Sequence, residues 1–152
     1  MFRRGPRPHP PPIRLSRRAF WRRYGRLEHD RLEFKRSPLH VVESIVAMAM
    51  ARGGTIVLGV ADDRRLVGCE VDQGTLDRIA LVAHETQVDV AVRPVIVGGV
   101  PLTLITVPAV GDRIVTTPDG RILRRLGSAN QPLRGDAVAR FVRERDARVE
   151  VA

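Results

Sequence analysis

Two acidic side chains, Glu28 and Glu33, stand five positions apart in the stretch RLEHDRLEFKR, residues 26–36, within an arginine-rich part of the chain. Side chains five positions apart point about 140° away from each other on a helix and to opposite faces of a continuous strand. The two carboxylates can therefore converge only across a break between elements. Such a break exists if Glu28 lies at a helix end or turn and Glu33 lies in the strand that follows.

A third carboxylate is expected near this pair from Asp62 or Asp63. Both residues follow the apolar run TIVLGV, residues 55–60, and open sheets commonly carry functional residues just beyond their strand ends. Three carboxylates brought together repel one another unless protons, arginines or a divalent cation hold them. Hard oxygen ligands favour Mg²⁺ or Mn²⁺, either of which can activate a water molecule and stabilise a phosphoryl transition state.

A simpler interpretation treats the same glutamates as counter-ions of their basic neighbours. Glu28 would pair with Arg31, and Glu33 would lie at a sheet edge beside Lys35 and Arg36. Exposed ion pairs of this kind have little energetic weight. Two glutamates at this spacing are common by chance, so the spacing alone favours surface ion pairs over a catalytic site.

The charge of the chain is concentrated at its N-terminal end. The 152 residues carry a formal net charge of +9, and residues 1–27 contain nine arginines and no acidic residue. Residues 28–152 are formally neutral, so the excess charge lies in the first segment.

The length fits one domain with a tail, and the apolar fraction of 43% is that of an ordinary globular protein with no membrane-spanning segment. Cys69 is the only cysteine, which excludes an internal disulfide and favours a reducing, cytoplasmic setting. Prolines and further arginines follow MFRRGP in place of an apolar stretch, so no export signal is expected.

Three regions are predicted along the chain. Residues 1–14 form an Arg/Pro-rich disordered tail, because each proline fixes its backbone and removes a donor. Residues 15–27, LSRRAFWRRYGRL, are predicted to form a basic amphipathic helix or arm. Its aromatic residues Trp21 and Tyr24 either stack on a nucleic-acid base or pack the helix on the domain, and both alternatives stay open. Residues 28–148 form the folded domain.

Within this domain, helical and strand periodicities alternate in an order that predicts an α+β fold with a mixed sheet, two β-hairpins and flanking helices. The predicted elements are a strand in RLEFK, a helix in PLHVVESIVAMAMARGG ended by its glycines, a central strand at residues 55–60, a short strand after Asp63, a helix over residues 73–84, a hairpin around Gly98-Gly99, a second turn at Asp119-Gly120, and a closing helix in LRGDAVARFVRERDARV.

The succession EHDRLEFK, IVAMAMARGGTIVLGVADD, VPLTLITVP and DGRILRRLGSANQPL resembles the Schlafen-type AlbA-like DNA-binding domain over about residues 26–146. The resemblance implies an α+β domain that binds nucleic acid, in a family that includes bacterial transcription regulators. The family also includes Schlafen proteins that cleave transfer and ribosomal RNA with two glutamates and an aspartate. Carried over by motif, these catalytic and metal-binding residues fall on Glu28, Glu33 and Asp62.

Two departures from the family pattern concern this chain. Met50 stands where the family usually has an asparagine. The Schlafen nucleases also join two such lobes around RNA, whereas a single lobe is expected to form a homodimer or else to bind weakly.

Nucleic-acid contacts are predicted for basic and hydroxyl residues of three segments. No phosphate-binding G-x-x-x-x-G-K-S/T motif is present, so no nucleotide cofactor is expected. Three hypotheses result: a nucleic-acid-binding module, a Mg²⁺- or Mn²⁺-dependent endoribonuclease, and an adaptor whose tail binds an acidic protein. The predicted contact residues are Arg17, Arg18, Arg22, Arg23, Lys35, Arg36, Arg124, Arg125 and Ser128.

Overall fold

Alternating apolar runs and amphipathic stretches fold into four α-helices and seven β-strands over residues 11–151, which the computed structural model describes. Five strands form a mixed sheet in the order β1-β4-β5-β3-β2, and β6 pairs with β7 in a separate two-stranded sheet. The predicted α+β class is therefore confirmed. The elements are β1 Ile13–Leu15, α1 Arg17–Tyr24, β2 Leu32–Lys35, α2 Val41–Met50, β3 Gly54–Leu58, α3 Gln73–Thr86, β4 Ala91–Val97, β5 Val100–Val107, β6 Leu123–Leu126, β7 Ala129–Pro132 and α4 Asp136–Val151.

Strand β3 lies inside the sheet, as its continuous apolar sequence predicts. It runs parallel to β2 and antiparallel to β5. Ile56 and Leu58 point to one face, where they join a core cluster with residues of α2 and α3. Val57 points to the other face, where its cluster includes Phe20 of α1. Both faces of the strand are thus covered by helices.

Helix α2 is buried along most of its length, and glycines follow it as predicted. The N–H of Gly53 donates to the carbonyl of Met48 and closes the helix end. Gly54 has φ of +158°, and a Cβ at this position would lie 2.5 Å from the backbone oxygen of Arg31. Only glycine therefore lets the chain leave α2 and enter β3 beside the loop that precedes β2.

The N-terminal segment is part of the fold and not only a tail. Ile13 and Arg14 were predicted to be disordered, but they belong to β1, which pairs in parallel with Val95–Val97 of β4. The prediction is wrong at these two residues because a sheet edge is available to pair with them. The part of the prediction that concerns residues 1–10 lies outside the described residues. Ser16 then caps α1 by accepting a hydrogen bond from the N–H of Ala19 at 3.0 Å.

The two hairpins differ in how well their turns were predicted. The turn at Gly98-Gly99 joins β4 to β5 as expected. A turn forms at Asp119-Gly120, yet it joins no paired strands, and the second hairpin is β6–β7. Gly127, with φ of +57°, supplies the left-handed residue that its two-residue turn requires. The short strand expected after Asp63 is reduced to a single bridge between Val60 and Leu66.

Among the described helices, none combines the length and apolarity needed to span a bilayer.

Candidate functional site

Glu28 lies in the loop between α1 and β2, where its carboxylate accepts a hydrogen bond from the edge strand of the main sheet. Strand β2 is an edge strand, so the N–H of Phe34 points away from β3. Oε1 of Glu28 accepts a hydrogen bond from this N–H at 3.0 Å. The neighbouring Leu32 exchanges backbone hydrogen bonds with His29 instead. Because unpaired edge donors invite pairing with another chain, Glu28 has a structural task on this strand.

Glu33 lies on β2 itself, on the face opposite Leu32 and Phe34, because successive strand residues alternate. Its Oε1 is 3.7 Å from Nη1 of Arg125 on β6, and its side chain is 13% exposed. The other oxygen, Oε2, is buried and has no hydrogen-bond partner among the described residues. The glutamate is thus the counter-ion of an arginine on the second hairpin.

Asp62 is exposed in the turn that follows β3. Its backbone carbonyl accepts a hydrogen bond from Nη1 of Arg64 at 3.0 Å, and its side chain lines a shallow depression of about 300 Å³ with Arg36, Asp63 and Arg65. Within residues 11–151, no group of three or more His, Cys, Asp and Glu side chains is arranged to hold a metal ion. The carboxylates of Glu28, Glu33 and Asp62 therefore do not form a site for a shared Mg²⁺ or Mn²⁺ ion in this arrangement.

Arg125 was predicted to contact nucleic acid, but it is buried, with 7% of its surface exposed. Nη2 donates to the carbonyl of His29 at 3.0 Å and Nε donates to that of Asp30 at 3.3 Å. Nη1 donates to Oδ1 of Asn130 at 2.8 Å. The guanidinium thus ties the β6–β7 hairpin to the loop before β2. Its donors are used inside the protein, which corrects the prediction for this residue.

The other predicted contact residues are exposed on three different elements, except Lys35, which is half-buried. Helix α1 carries four arginines, the end of β2 carries two basic residues, and the β6–β7 hairpin carries an arginine and a serine. These residues are Arg17, Arg18, Arg22 and Arg23 on α1, Lys35 and Arg36 at β2, and Arg124 and Ser128 on the hairpin.

One concave surface does collect arginines from two distant parts of the sequence. We call it the arginine groove; it has a volume of about 720 Å³ and lies between α1 and the turn after β3. Five arginines and one aspartate line it, together with the partly buried side chains of Trp21 and Leu66. The charged residues are Arg17, Arg18, Arg26, Asp63, Arg64 and Arg65.

Arg64 fixes one wall of the arginine groove. It has φ of +69°, an uncommon left-handed conformation for a residue other than glycine. Its Nε donates to the carbonyl of Arg26 at 2.7 Å, and its guanidinium carbon lies 4.9 Å from the ring centroid of Phe34. These contacts connect the turn after β3 to the segment that leaves α1. The strained backbone is consistent with a functional position.

Beside Arg64, Arg65 and Asp63 close the turn by a local ion pair. Nε of Arg65 donates to Oδ2 of Asp63 at 2.7 Å, and the N–H of Arg65 donates to Oδ1 at 3.1 Å. This backbone hydrogen bond is the main cause that lowers the pKa of Asp63 below its ordinary value. The single acid of the groove is thus partly neutralised by its neighbour, and the surface stays strongly basic.

The aromatic residues of α1 pack this helix on the domain. Phe20 is fully buried, and Trp21 makes edge-on contacts with Phe20 and Phe34 at centroid distances of 4.9 Å and 5.7 Å. On the groove side, the guanidinium carbon of Arg26 lies 4.5 Å from the Trp21 ring centroid. The packing alternative is therefore present for Trp21 and Tyr24, which both adjoin the second cluster. Three arginines of the groove, Arg26, Arg64 and Arg65, were not among the nucleic-acid contact residues predicted from sequence.

Met50 makes a polar contact at the position where the family usually has asparagine. Its Sδ accepts a hydrogen bond from the N–H of Val115 at 3.2 Å, and its carbonyl accepts one from Nη2 of Arg145 at 2.6 Å. Arg145 therefore lies at the end of α2, where its burial lowers the pKa of the guanidinium below its ordinary value. The thioether is thus the acceptor for a buried N–H.

Residues 28–134 match the family described as Schlafen, AlbA_2. The chain is also similar to the DIP2311 protein from Corynebacterium diphtheriae, whose crystal structure superposes with a TM-score of 0.54 at 20% sequence identity. That likeness covers 68% of this chain and 25% of the other, so this chain spans about a quarter of that protein. At this identity the likeness concerns the fold alone. No curated protein matches the chain.

Proposed function

Because the chain belongs to the Schlafen, AlbA_2 family, we propose that it binds nucleic acid and that the arginine groove is the contact surface. The family suggests a function related to nucleic acid, and the groove supplies a surface with the chemistry for it. The observation that carries the proposal is the convergence of arginines from two elements far apart in sequence. They are Arg17, Arg18 and Arg26 from α1 and its exit, and Arg64 and Arg65 from the turn after β3.

The charge of the groove is largely unneutralised. Among the described residues, Arg65 is the only one of these five that forms an ion pair, which it makes with Asp63. A concave basic surface raises the local concentration of polyanions and binds phosphates as counter-ions are released. Arginines also form bidentate hydrogen bonds to phosphate oxygens. The groove therefore supports phosphate-backbone binding better than the neutral remainder of the domain does.

The endoribonuclease hypothesis requires a metal site that the carboxylates do not form in this arrangement. Glu28 is engaged with Phe34, and Glu33 faces Arg125. We therefore assign no metal-dependent step to these residues. Titration with Mn²⁺ alone is the direct check, because Mn²⁺ binding that is lost in Asp62→Asn would restore the predicted metal site. The regulator role, the homodimer and the cytoplasmic location remain predictions.

The proposal is tested by measuring how binding depends on salt. A fluorescein-labelled oligonucleotide is titrated with the full chain at several salt concentrations, and its anisotropy gives the affinity. The double variant Arg17→Gln/Arg18→Gln should bind more weakly, with a slope of log affinity against log salt that is smaller by up to about two. The control Arg140→Gln/Arg143→Gln removes two exposed charges from α4, away from the groove.

Two outcomes would contradict the proposal. The first is undetectable binding by the unaltered protein at moderate salt, which would favour the adaptor hypothesis. The second is equal weakening in both double variants, since this would reflect net charge and not the arginine groove. Circular dichroism of each variant checks that the fold is retained. A truncation test should remove residues 1–10 only, because removal of residues 1–14 would also delete part of β1.

A further inference from the structure

We infer that the arginine groove takes single-stranded nucleic acid and stacks a base on the guanidinium of Arg26. This inference rests on the proposed function and adds the type of nucleic acid and the residue that recognises it. It concerns the part of the groove formed by Arg17, Arg18, Trp21 and Arg26, all of which precede the family-matched residues 28–134. This part of the groove therefore lies outside the family-matched residues, whereas Arg64 and Arg65 lie inside them.

The first observation is the cation–π contact between Arg26 and Trp21. The guanidinium carbon of Arg26 lies over the indole, 4.5 Å from its centroid, and the arginine is exposed. A guanidinium is planar, so a group held with one face on an aromatic ring can present the opposite face to a ligand. Unpaired bases stack on arginine planes as well as on aromatic rings. Direct stacking on the same face of Trp21 would first have to displace Arg26.

The second observation is that contacts on both sides hold this pair in place. The Trp21 ring is held by edge-on contacts with the Phe20 and Phe34 rings. The carbonyl of Arg26 accepts a hydrogen bond from Nε of Arg64, whose guanidinium in turn lies over the Phe34 ring. The indole and the Arg26 backbone are thus held in place before a base binds, which lowers the conformational entropy that binding costs.

The third observation is the shape of the surface around this pair. Helix α1 has eight residues and is packed on the sheet through the fully buried Phe20, so it does not project as a helix that enters a major groove. The arginine groove is instead concave and basic, with the Arg26 guanidinium over the Trp21 ring within it. Electrostatic channels with stacking platforms bind single strands, whose bases are accessible, whereas the bases of a duplex are already stacked on each other.

Trp21 is the only tryptophan of the chain, so its fluorescence reports directly on the contact with Arg26. We would titrate the full chain with three ligands of about 12 nucleotides, a length within the range that such channels bind: a thymidine strand, an abasic strand with the same phosphates, and a duplex. The thymidine strand should change Trp21 emission and bind at least about fivefold more tightly than the abasic strand, from the lower end of base-stacking free energies.

Arg26→Lys keeps the charge but removes the plane, and it should abolish the preference for thymidine over abasic strands. Its salt dependence should stay the same, because the number of phosphate contacts is unchanged. The matched control is Arg140→Lys, an exposed position on α4 outside the groove, which should leave all affinities unchanged.

The outcomes separate this inference from the proposed function. Equal affinity for thymidine and abasic strands, or an undiminished preference in Arg26→Lys, would overturn base stacking on Arg26 and leave phosphate binding intact. Tighter binding of the duplex would overturn the choice of single strands. Failure to bind all three ligands would overturn both proposals together.

Discussion

Arg125 and Glu33 form an ion pair between two sheets, with Nη1 of the arginine 3.7 Å from Oε1 of the glutamate. The Arg125 side chain has no exposed surface, and the Glu33 side chain is only 13% exposed. A buried pair stabilises a fold mainly when further hydrogen bonds satisfy both ions. Arg125 meets this condition through backbone carbonyls, whereas Oε2 of Glu33 does not. The pair therefore joins the hairpin to the sheet and leaves one oxygen unsatisfied.

Replacement of Arg125 by alanine should destabilise the protein by about 3 kcal/mol or more, because it leaves the largely buried Glu33 carboxylate without its counter-ion and removes donors to the carbonyls of His29 and Asp30. Urea unfolding followed by circular dichroism measures the change. Arg124→Ala, at the exposed neighbouring position, should change stability by less than about 0.5 kcal/mol. Similar effects of the two substitutions would mean that the hairpin does not depend on Arg125.

Substitutions of Glu28 should distinguish its structural role from a catalytic one. Glu28→Gln keeps an oxygen that can accept the Phe34 N–H, whereas Glu28→Ala leaves that donor unpaired and should cost about 1–2 kcal/mol in urea unfolding. If the role of Glu28 is structural, the two variants should differ clearly in unfolding free energy. If Glu28 is a catalytic carboxylate, both variants should lose RNA cleavage equally while their unfolding free energies remain similar.

The sulfur of Met50 should matter as a hydrogen-bond acceptor and not only as core volume. Met50→Leu keeps the volume but removes the acceptor of the Val115 N–H, so we expect a loss of about 1 kcal/mol in unfolding free energy. Met48→Leu is the matched control, since Met48 is also buried and its sulfur accepts no hydrogen bond among the described residues. Equal costs at the two positions would indicate that the contact with Val115 contributes nothing.

Stability should fall in acid partly through Asp72, the N-cap of α3. Its Oδ1 accepts a hydrogen bond from the N–H of Thr75 at 2.7 Å, and this bond is the main cause that lowers the pKa of Asp72 below its ordinary value of 3.8. The lowered pKa means that its contribution is present above pH 3.8 and is lost as the pH falls through the folded-state value. Asp72→Asn also caps helices but does not titrate. Urea midpoints measured across this range should fall less steeply for the variant.

The parts of the fold that depend on local pattern were predictable from sequence. The apolar run of β3, the glycine-ended α2 and the Gly98-Gly99 turn each carry their signal within a few residues. Strand β1 does not, because its three residues become a strand only through pairing with β4. Likewise, Asp119-Gly120 is a sound turn sequence, but Thr117 closes that turn with local hydrogen bonds and no strands pair around it.

The candidate site shows the same division between local and long-range information. The sequence indicated correctly that Glu28 and Glu33 lie on either side of a break between elements. It could not indicate that Arg125, far along the sequence, would be buried beside Glu33. Arg64 and Arg65 follow Asp63 directly, so their position beside a strand end was a usable signal. Their meeting with Arg26 depended on how α1 docks.

The pairing of β1 with β4 also has a consequence for protein synthesis. Residues 13–15 are made early, but their partners, residues 95–97, are made much later. A nascent chain shorter than this has no edge for β1 to join, and contacts between distant residues form slowly because a long loop must close first. Strand β1 therefore takes its place in the sheet only after β4 has left the ribosome. Until then the segment that leads into α1 has no β4 edge to pair with.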